Sequence, residues 1–183
     1  MSKIYKRTHM CGELRNEHID STVVLNGWVQ RRRNLGGLVF VDLRDKTGIV
    51  QIVFDKDISS DALDMAEKIR SEYVIGVKGI VRERESKNKD LPTGEVEVFA
   101  DSVIIYSESE TPPIYIKDDD DVSESLRLKY RYLDLRKFKM QNNLALRHKI
   151  TQITRRFFDD EGFIDVETPV LIKPSPEGAR DYL

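Results

Sequence analysis

Arg31, Arg32 and Arg33, then Phe40, then Gln51 place a cation run, a ring and a carboxamide within one short stretch. Single-stranded nucleic acid needs such a set. Charge follows the phosphates, a ring stacks on a base, and an amide can donate to and accept from a base edge at once. Gln51 is the polar residue inside the otherwise apolar run IVQIVF. The plainer readings are that Phe40 is core, as a strand phenylalanine usually is, and that the arginines are a solvated strand end. Strand parity adds a constraint: the middle arginine must face away from its two neighbours. His9, Cys11 and His18 are close in sequence, but no second cluster completes a four-ligand zinc site, and no metal site is expected. Asp118 to Asp121 read as a solvated run, because aspartate-rich cation sites need ligands fixed by turns.

The elements that must position these groups follow from alternation. Thr22 to Gln30 reads as a strand, with Val23, Leu25, Gly27 and Val29 on one face and Gly27 marking a bulge or a close backbone approach. Trp28, on the other face, is expected to pack rather than to carry a base. Asn34 to Gly37 reads as a turn, Leu38 to Leu43 as a second strand, Asp45 to Gly48 as a turn, and Ile49 to Phe54 as a third strand. Ser59 or Ser60 caps a helix from Asp61 to about Glu72, with Leu63, Ala66 and Ile69 at helical spacing. Tyr73 to Val81 and Glu95 to Tyr106 complete five strands, with a polar loop from Lys87 to Gly94 between them. Three strands, a helix and two strands is the order of an OB-fold barrel, and an unspecified five-stranded α+β domain is the competing reading.

The residues from 107 to 122 read as a linker, with Pro112-Pro113 stiffening it and the acidic run unable to support a core. A second unit starts at Ser123, with a charged helical stretch to Leu135 and an amphipathic helix from about Lys137 to Glu161, ended by Gly162. Phe163 to Pro169 then reads as a strand closed by proline. The 183 residues carry 30 Lys+Arg, 32 Asp+Glu and one cysteine, with a net charge of -2. A lone Cys11 cannot form an intramolecular disulfide and reads as an inert or semi-buried thiol. No run reaches the roughly 18–20 apolar residues of a membrane span, and the basic start lacks the apolar core of a secretory signal. A cytoplasmic, non-membrane protein is the expectation.

The stretch GWVQRRRNLGGLVFVDLRDKTGIVQIVF resembles the anticodon-binding OB domain of bacterial-type aspartyl-tRNA synthetases. LKYRYLDLR and RRFFDDEGFIDVETPVL resemble the start of the class II synthetase catalytic domain, including its motif 1, and PEGARDYL narrows the resemblance to the aspartyl type. The resemblance implies an OB barrel over 1–106, a linker over 107–122, and the α+β start of a class II catalytic domain over 123–183. It implies an N-terminal piece of an aspartate–tRNA ligase. Motifs 2 and 3 do not occur in it, so it should not activate an amino acid alone, and it carries no catalytic residue. The implied partners are tRNA-Asp, with L-aspartate, ATP and magnesium in the full enzyme, and a second copy of the chain.

Residue by residue, the resemblance places Phe40 under the central anticodon base, with Gln51 and Arg33 hydrogen-bonded to that base. It places Arg82 and Glu97 around the first anticodon base, where a carboxylate can accept from the N1 and N2 donors of a guanine. Asn88 matches a further contact there, and Asn34 stands where many relatives carry aspartate. Leu35 stands where relatives charging both aspartate and asparagine tRNAs often carry histidine, which favours tRNA-Asp alone. Glu177 matches a residue that binds the substrate aspartate, where a carboxylate suits the α-ammonium. Phe157, Phe158 and Pro169 belong to the motif 1 dimer interface. A free-standing OB module that binds single-stranded RNA or tRNA without ligase activity is the alternative.

Overall fold

The structure, a computed structural model, describes residues 6–170. The chain divides between Tyr115 and Ile116 into two compact units. The first holds strands β1 (Thr22–Leu35), β2 (Leu38–Arg44) and β3 (Ile49–Phe54), helix α1 (Ser60–Lys68), and strands β4 (Val74–Glu83) and β5 (Val96–Ser107). The strands close into a barrel in the order β1-β2-β3-β5-β4. Every pairing is antiparallel except β3 with β5. This is the five-stranded barrel, with a helix between the third and fourth strands, that the alternation pointed to.

Period-two patterning builds the core. Val23, Leu25 and Val29, then Val39, Val41 and Leu43, then Val50, Ile52 and Phe54 all point inward and are fully buried. Gly27 lies in this inward row because a Cβ there would stand 2.5 Å from the Arg44 carbonyl oxygen. The close approach is therefore at Gly27, but the bulge is at Gln30, where the register passes from Val29↔Leu43 to Arg31↔Asp42. A bulge inserts one residue and so reverses which side chains face out beyond it. Gln30 is held in place through Oε1, which accepts from Arg44 Nη1 at 3.3 Å, while Arg44 Nη2 donates to both Glu72 oxygens at 3.1 and 3.0 Å.

Three boundaries differ from the sequence reading. β1 runs on to Leu35, since Arg31 to Leu35 all find ladder partners on β2. The turn is only Gly36-Gly37, with φ of 60° and 89°, which a two-residue hairpin loop of mirror-image type requires. Helix α1, capped by Ser59 Oγ accepting from the Ala62 N–H, stops at Lys68 rather than near Glu72. Ile69 turns into the core, and the Glu72 N–H already bonds the Val29 carbonyl at 2.6 Å. Cys11 is wholly buried, which agrees with the inert-thiol reading rather than the semi-buried one. Its N–H donates to Asp45 Oδ2 at 2.7 Å, and burial, with the Asp45 charge beside it, pushes the thiol well above its ordinary range.

The second unit contains α2 (Glu124–Lys129), α3 (Arg131–Asp134) and α4 (Phe138–Asp160). Asp134, fully buried, accepts from Arg127 Nε at 2.9 Å and from Arg131 Nη1 at 2.6 Å. The acidic run is not simply solvated. Asp118 accepts from the Lys139 N–H at 3.0 Å, next to the start of α4, and Asp120 pairs with Lys137 Nζ at 2.5 Å. Carboxylates are favoured there because the first N–H groups of a helix lack partners. Gly162, at φ 83°, ends α4. Its N–H bonds the Asp159 carbonyl and the Phe163 N–H bonds that of Phe158, which together form a Schellman stop. Phe163 to Pro169 is not a strand: among the described residues no neighbouring strand offers it a ladder. No helix among the described residues is long and apolar enough to cross a membrane.

Candidate nucleic-acid interface

The bulge at Gln30 decides which arginines face outward. Ahead of it, odd-numbered residues of β1 point into the barrel; beyond it, Arg32 sits opposite buried Val41, while Arg31 and Arg33 sit opposite Asp42 and Phe40 on the outer face. Phe40 is therefore not core. It lies half-buried between the inward-facing Val39 and Val41, and the Arg33 guanidinium carbon is 6.0 Å from its ring centroid.

Register extends this outer face in two adjacent rows. One runs Arg33, Phe40, Val53, Phe99, Ile80 across β1, β2, β3, β5 and β4. The other runs Arg31, Asp42, Gln51, Glu97, Arg82 across the same strands. Arg33 reaches from the first row into the second, and there the side chains join. Arg33 Nη2 donates to Asp42 Oδ1 at 3.0 Å and to Gln51 Oε1 at 3.1 Å, and Gln51 Nε2 donates to Glu97 Oε2 at 2.7 Å. Gln51 thus keeps one donor and one acceptor uncommitted. Arg33 Nε is buried and, among the described residues, has no hydrogen-bond partner. Burial pushes the Glu97 carboxyl above the usual glutamate range, and the Gln51 hydrogen bond pulls it partly back.

The geometry brings together Arg33, Phe40, Gln51, Glu97 and, by register, Arg82. Two expected residues stand apart. Asn34 pairs with Val39, in the opposite phase from Arg33 and Phe40, and is exposed at the hairpin end. Asn88 lies in the β4–β5 loop, where its Oδ1 accepts from the Asp90 N–H at 3.0 Å and so shapes its own turn. Trp28 is 38% exposed on the outer face, in the middle of β1 ahead of the bulge and the arginines. Asp42 and Phe99 were missed. Each sits two residues from a singled-out position on its own strand, so period-two counting from Phe40 and Glu97 would have found both.

In the second unit, Phe157 and Phe158 are 59% and 46% exposed on α4, along with Ile150 and Ile153. Their rings meet edge to face, with centroids 5.5 Å apart. Pro169 lies in the exposed segment that follows. Glu177, with the rest of PEGARDYL, lies outside the described residues.

Comparison with known proteins gives two family matches. Residues 23–106 match the OB-fold nucleic acid binding domain, and residues 123–183 match the class II tRNA synthetases of the D, K and N type. The chain is 57% identical over 180 residues to the aspartate–tRNA(Asp/Asn) ligase of Thermoanaerobacter pseudethanolicus, covering 97% of this chain and 30% of that protein. It is also 57% identical over 178 residues to the aspartate–tRNA ligase of Clostridium acetobutylicum, with the same coverage. The crystal structure of asparaginyl-tRNA synthetase from Pyrococcus horikoshii complexed with asparaginyl-adenylate superposes with a TM-score of 0.81 at 26% identity. That match covers 96% of this chain and 39% of the other.

Proposed function

Since this chain belongs to the class II tRNA synthetases of the D, K and N type, we propose that its barrel is the anticodon-reading part of an aspartate–tRNA ligase. The chain spans about 30% of the length of the curated relatives it matches. One observation carries the reading: a ring, a guanidinium, an amide and a carboxylate lie on one outer surface of the barrel, hydrogen-bonded from Asp42 through Arg33 and Gln51 to Glu97.

Phe40 stacks on the central base, an interaction blind to base identity. Identity is read at base edges. Gln51, already held at both ends of its amide, turns its remaining donor and acceptor to that base, a pattern that suits uracil. Arg33 fixes the amide's orientation. Glu97, one strand over, takes the neighbouring base, and a carboxylate there favours the N1 and N2 donors of guanine and repels phosphate. Arg31 lies on the same face, where it supplies charge to the RNA backbone, so binding weakens with added salt. Asn34 and Asn88 contribute at most from the rim.

The wider assignments rest on the same kinship. The proposed barrel, linker and catalytic start are 1–106, 107–122 and 123–183. The complete reaction joins L-aspartate to tRNA-Asp in the cytoplasm with ATP and magnesium, and Glu177 holds the amino acid. Among the described residues no group of three or more His, Cys, Asp or Glu could hold a metal ion, and neither ATP nor magnesium is assigned a residue here. The exposed stripe with Phe157 and Phe158 is the proposed dimer surface.

Titration of the chain with tRNA-Asp anticodon stem-loops that differ at one base tests the reading. Phe40→Ala should cost about 1–3 kcal/mol of affinity for every stem-loop. Unchanged affinity, with an unchanged circular dichroism spectrum, would remove Phe40 from the site.

A further inference from the structure

Arg82 and Glu97 are register partners on β4 and β5. Opposite charges in that position ordinarily attract each other across the strands. Here they form no ion pair, and the Arg82 guanidinium carbon lies instead 5.0 Å from the centroid of the Phe99 ring. Phe99 points outward between buried Val98 and Ala100, and it has Val53 and Ile80 beside it in register. The ring is therefore fixed in an apolar saddle. A cation over a fixed ring keeps its attraction at modest cost in hydration, whereas a solvent-facing ion pair contributes little.

The carboxylate shows the other half of this arrangement. Glu97 accepts from Gln51 through Oε2, and among the described residues Oε1 has no partner. The arginine whose charge acts on Glu97 is Arg84, not its own register partner.

We propose that Phe99 is a positioning residue: its ring holds the Arg82 guanidinium off Glu97, which leaves one carboxylate oxygen open to a base edge. The proposal rests on the reading of Glu97 as a base-recognising group. Without the ring, Arg82 would close onto its register partner, and the oxygen that should meet guanine would be occupied.

The test uses the full chain, with carboxyl-carbon NMR titration of Glu97 and binding of stem-loops bearing guanine or adenine at the first anticodon base. In Phe99→Leu the Glu97 midpoint should fall by about one pH unit or more, as a cation moves against it. The preference for guanine should drop on the order of tenfold. Phe99→Tyr, which keeps the ring, should preserve both. Adding Arg82→Gln to Phe99→Leu should return the Glu97 midpoint to its starting value, which simple repacking of the strand would not do. An unmoved midpoint in Phe99→Leu overturns the proposal, and so does a moved midpoint with the guanine preference intact. Glu97→Gln separates the two levels. If it loses the preference while Phe99→Leu keeps it, the positioning role alone fails. If it also keeps the preference, Glu97 does not read the base.

Discussion

Replacing Gln51 by leucine puts both halves of the interface under strain at once. The side chain is 6% exposed, and its amide joins two charged groups: it accepts from Arg33 at 3.1 Å and donates to Glu97 at 2.7 Å. Arg33 keeps Asp42 as a partner at 3.0 Å, so its loss is small. Glu97, itself 6% exposed, loses its only side-chain hydrogen bond among the described residues. A hydrogen bond to a charged group contributes about 1.5–3 kcal/mol and a neutral one about 0.5–1.5. Leucine recovers part of this through apolar contact, leaving an expected loss of about 2 kcal/mol at pH 7. The loss should depend on pH. Burial raises the Glu97 carboxyl in the folded chain, so its contribution to stability is full below the ordinary glutamate value and disappears as pH rises through the raised one. Removing Gln51 lifts that carboxyl further and extends the disappearance toward neutrality. Below the glutamate range the carboxyl is neutral in both states, and the substitution should cost only about 1 kcal/mol. Urea unfolding followed by Trp28, the single tryptophan and a β1 residue, reports the barrel at each pH. A cost equal at both pH values, or larger in acid, would refute the claim that the amide serves an ionised Glu97. Stem-loop binding should lose discrimination at the central base more than overall affinity.

Two other perturbations probe what holds the groups in place. Deleting Gln30 removes the bulge but leaves Arg31 opposite Asp42 and Arg33 opposite Phe40, so Arg33 keeps its outward phase and stem-loop affinity should stay within about threefold; a larger loss would show that the bulge shapes the face beyond setting its phase. Asp134→Asn removes the charge that Arg127 and Arg131 share, so the amide resonances of residues 124 to 137 should shift at pH 7. The Arg127 hydrogen bond, opposed by burial, holds that carboxyl below the usual aspartate range. Its stabilisation is therefore present above the ordinary aspartate value and lost as pH falls through the lowered one, and wild-type chain should show the same amide shifts only in acid.

Much of the barrel was legible because its core strands alternate without interruption, as in Val39, Val41 and Leu43. The reach of β1 was not, because Arg31 to Asn34 have no apolar alternation and are held in the sheet by ladder bonds that no sequence pattern announces. Gly27 and Gln30 teach a related lesson. A glycine reported a tight contact truly, yet the irregularity itself fell on a glutamine, whose role depends on Arg44 and Glu72 arriving from distant chain segments. The same holds for the aspartates. Asp118 and Asp120 look like solvent-facing charge until the start of α4 is brought to them. Phe163 to Pro169 shows the converse, since strand character in a sequence produces a strand only where a neighbour supplies the other half.

Of the barrel's five junctions, the parallel one is the briefest: Gln51, Ile52 and Val53 meet Glu97, Val98 and Phe99, whereas β4 and β5 run together from Val74↔Ser107 to Glu83↔Val96. The amide–carboxylate clasp straddles that short join. An RNA loop seated on it, as proposed, would bridge the two strands at the barrel's shortest pairing, like a pin through a hinge. Loading the loop and keeping the cylinder shut then become one mechanical act, and a mutation that loosens either is felt by the other.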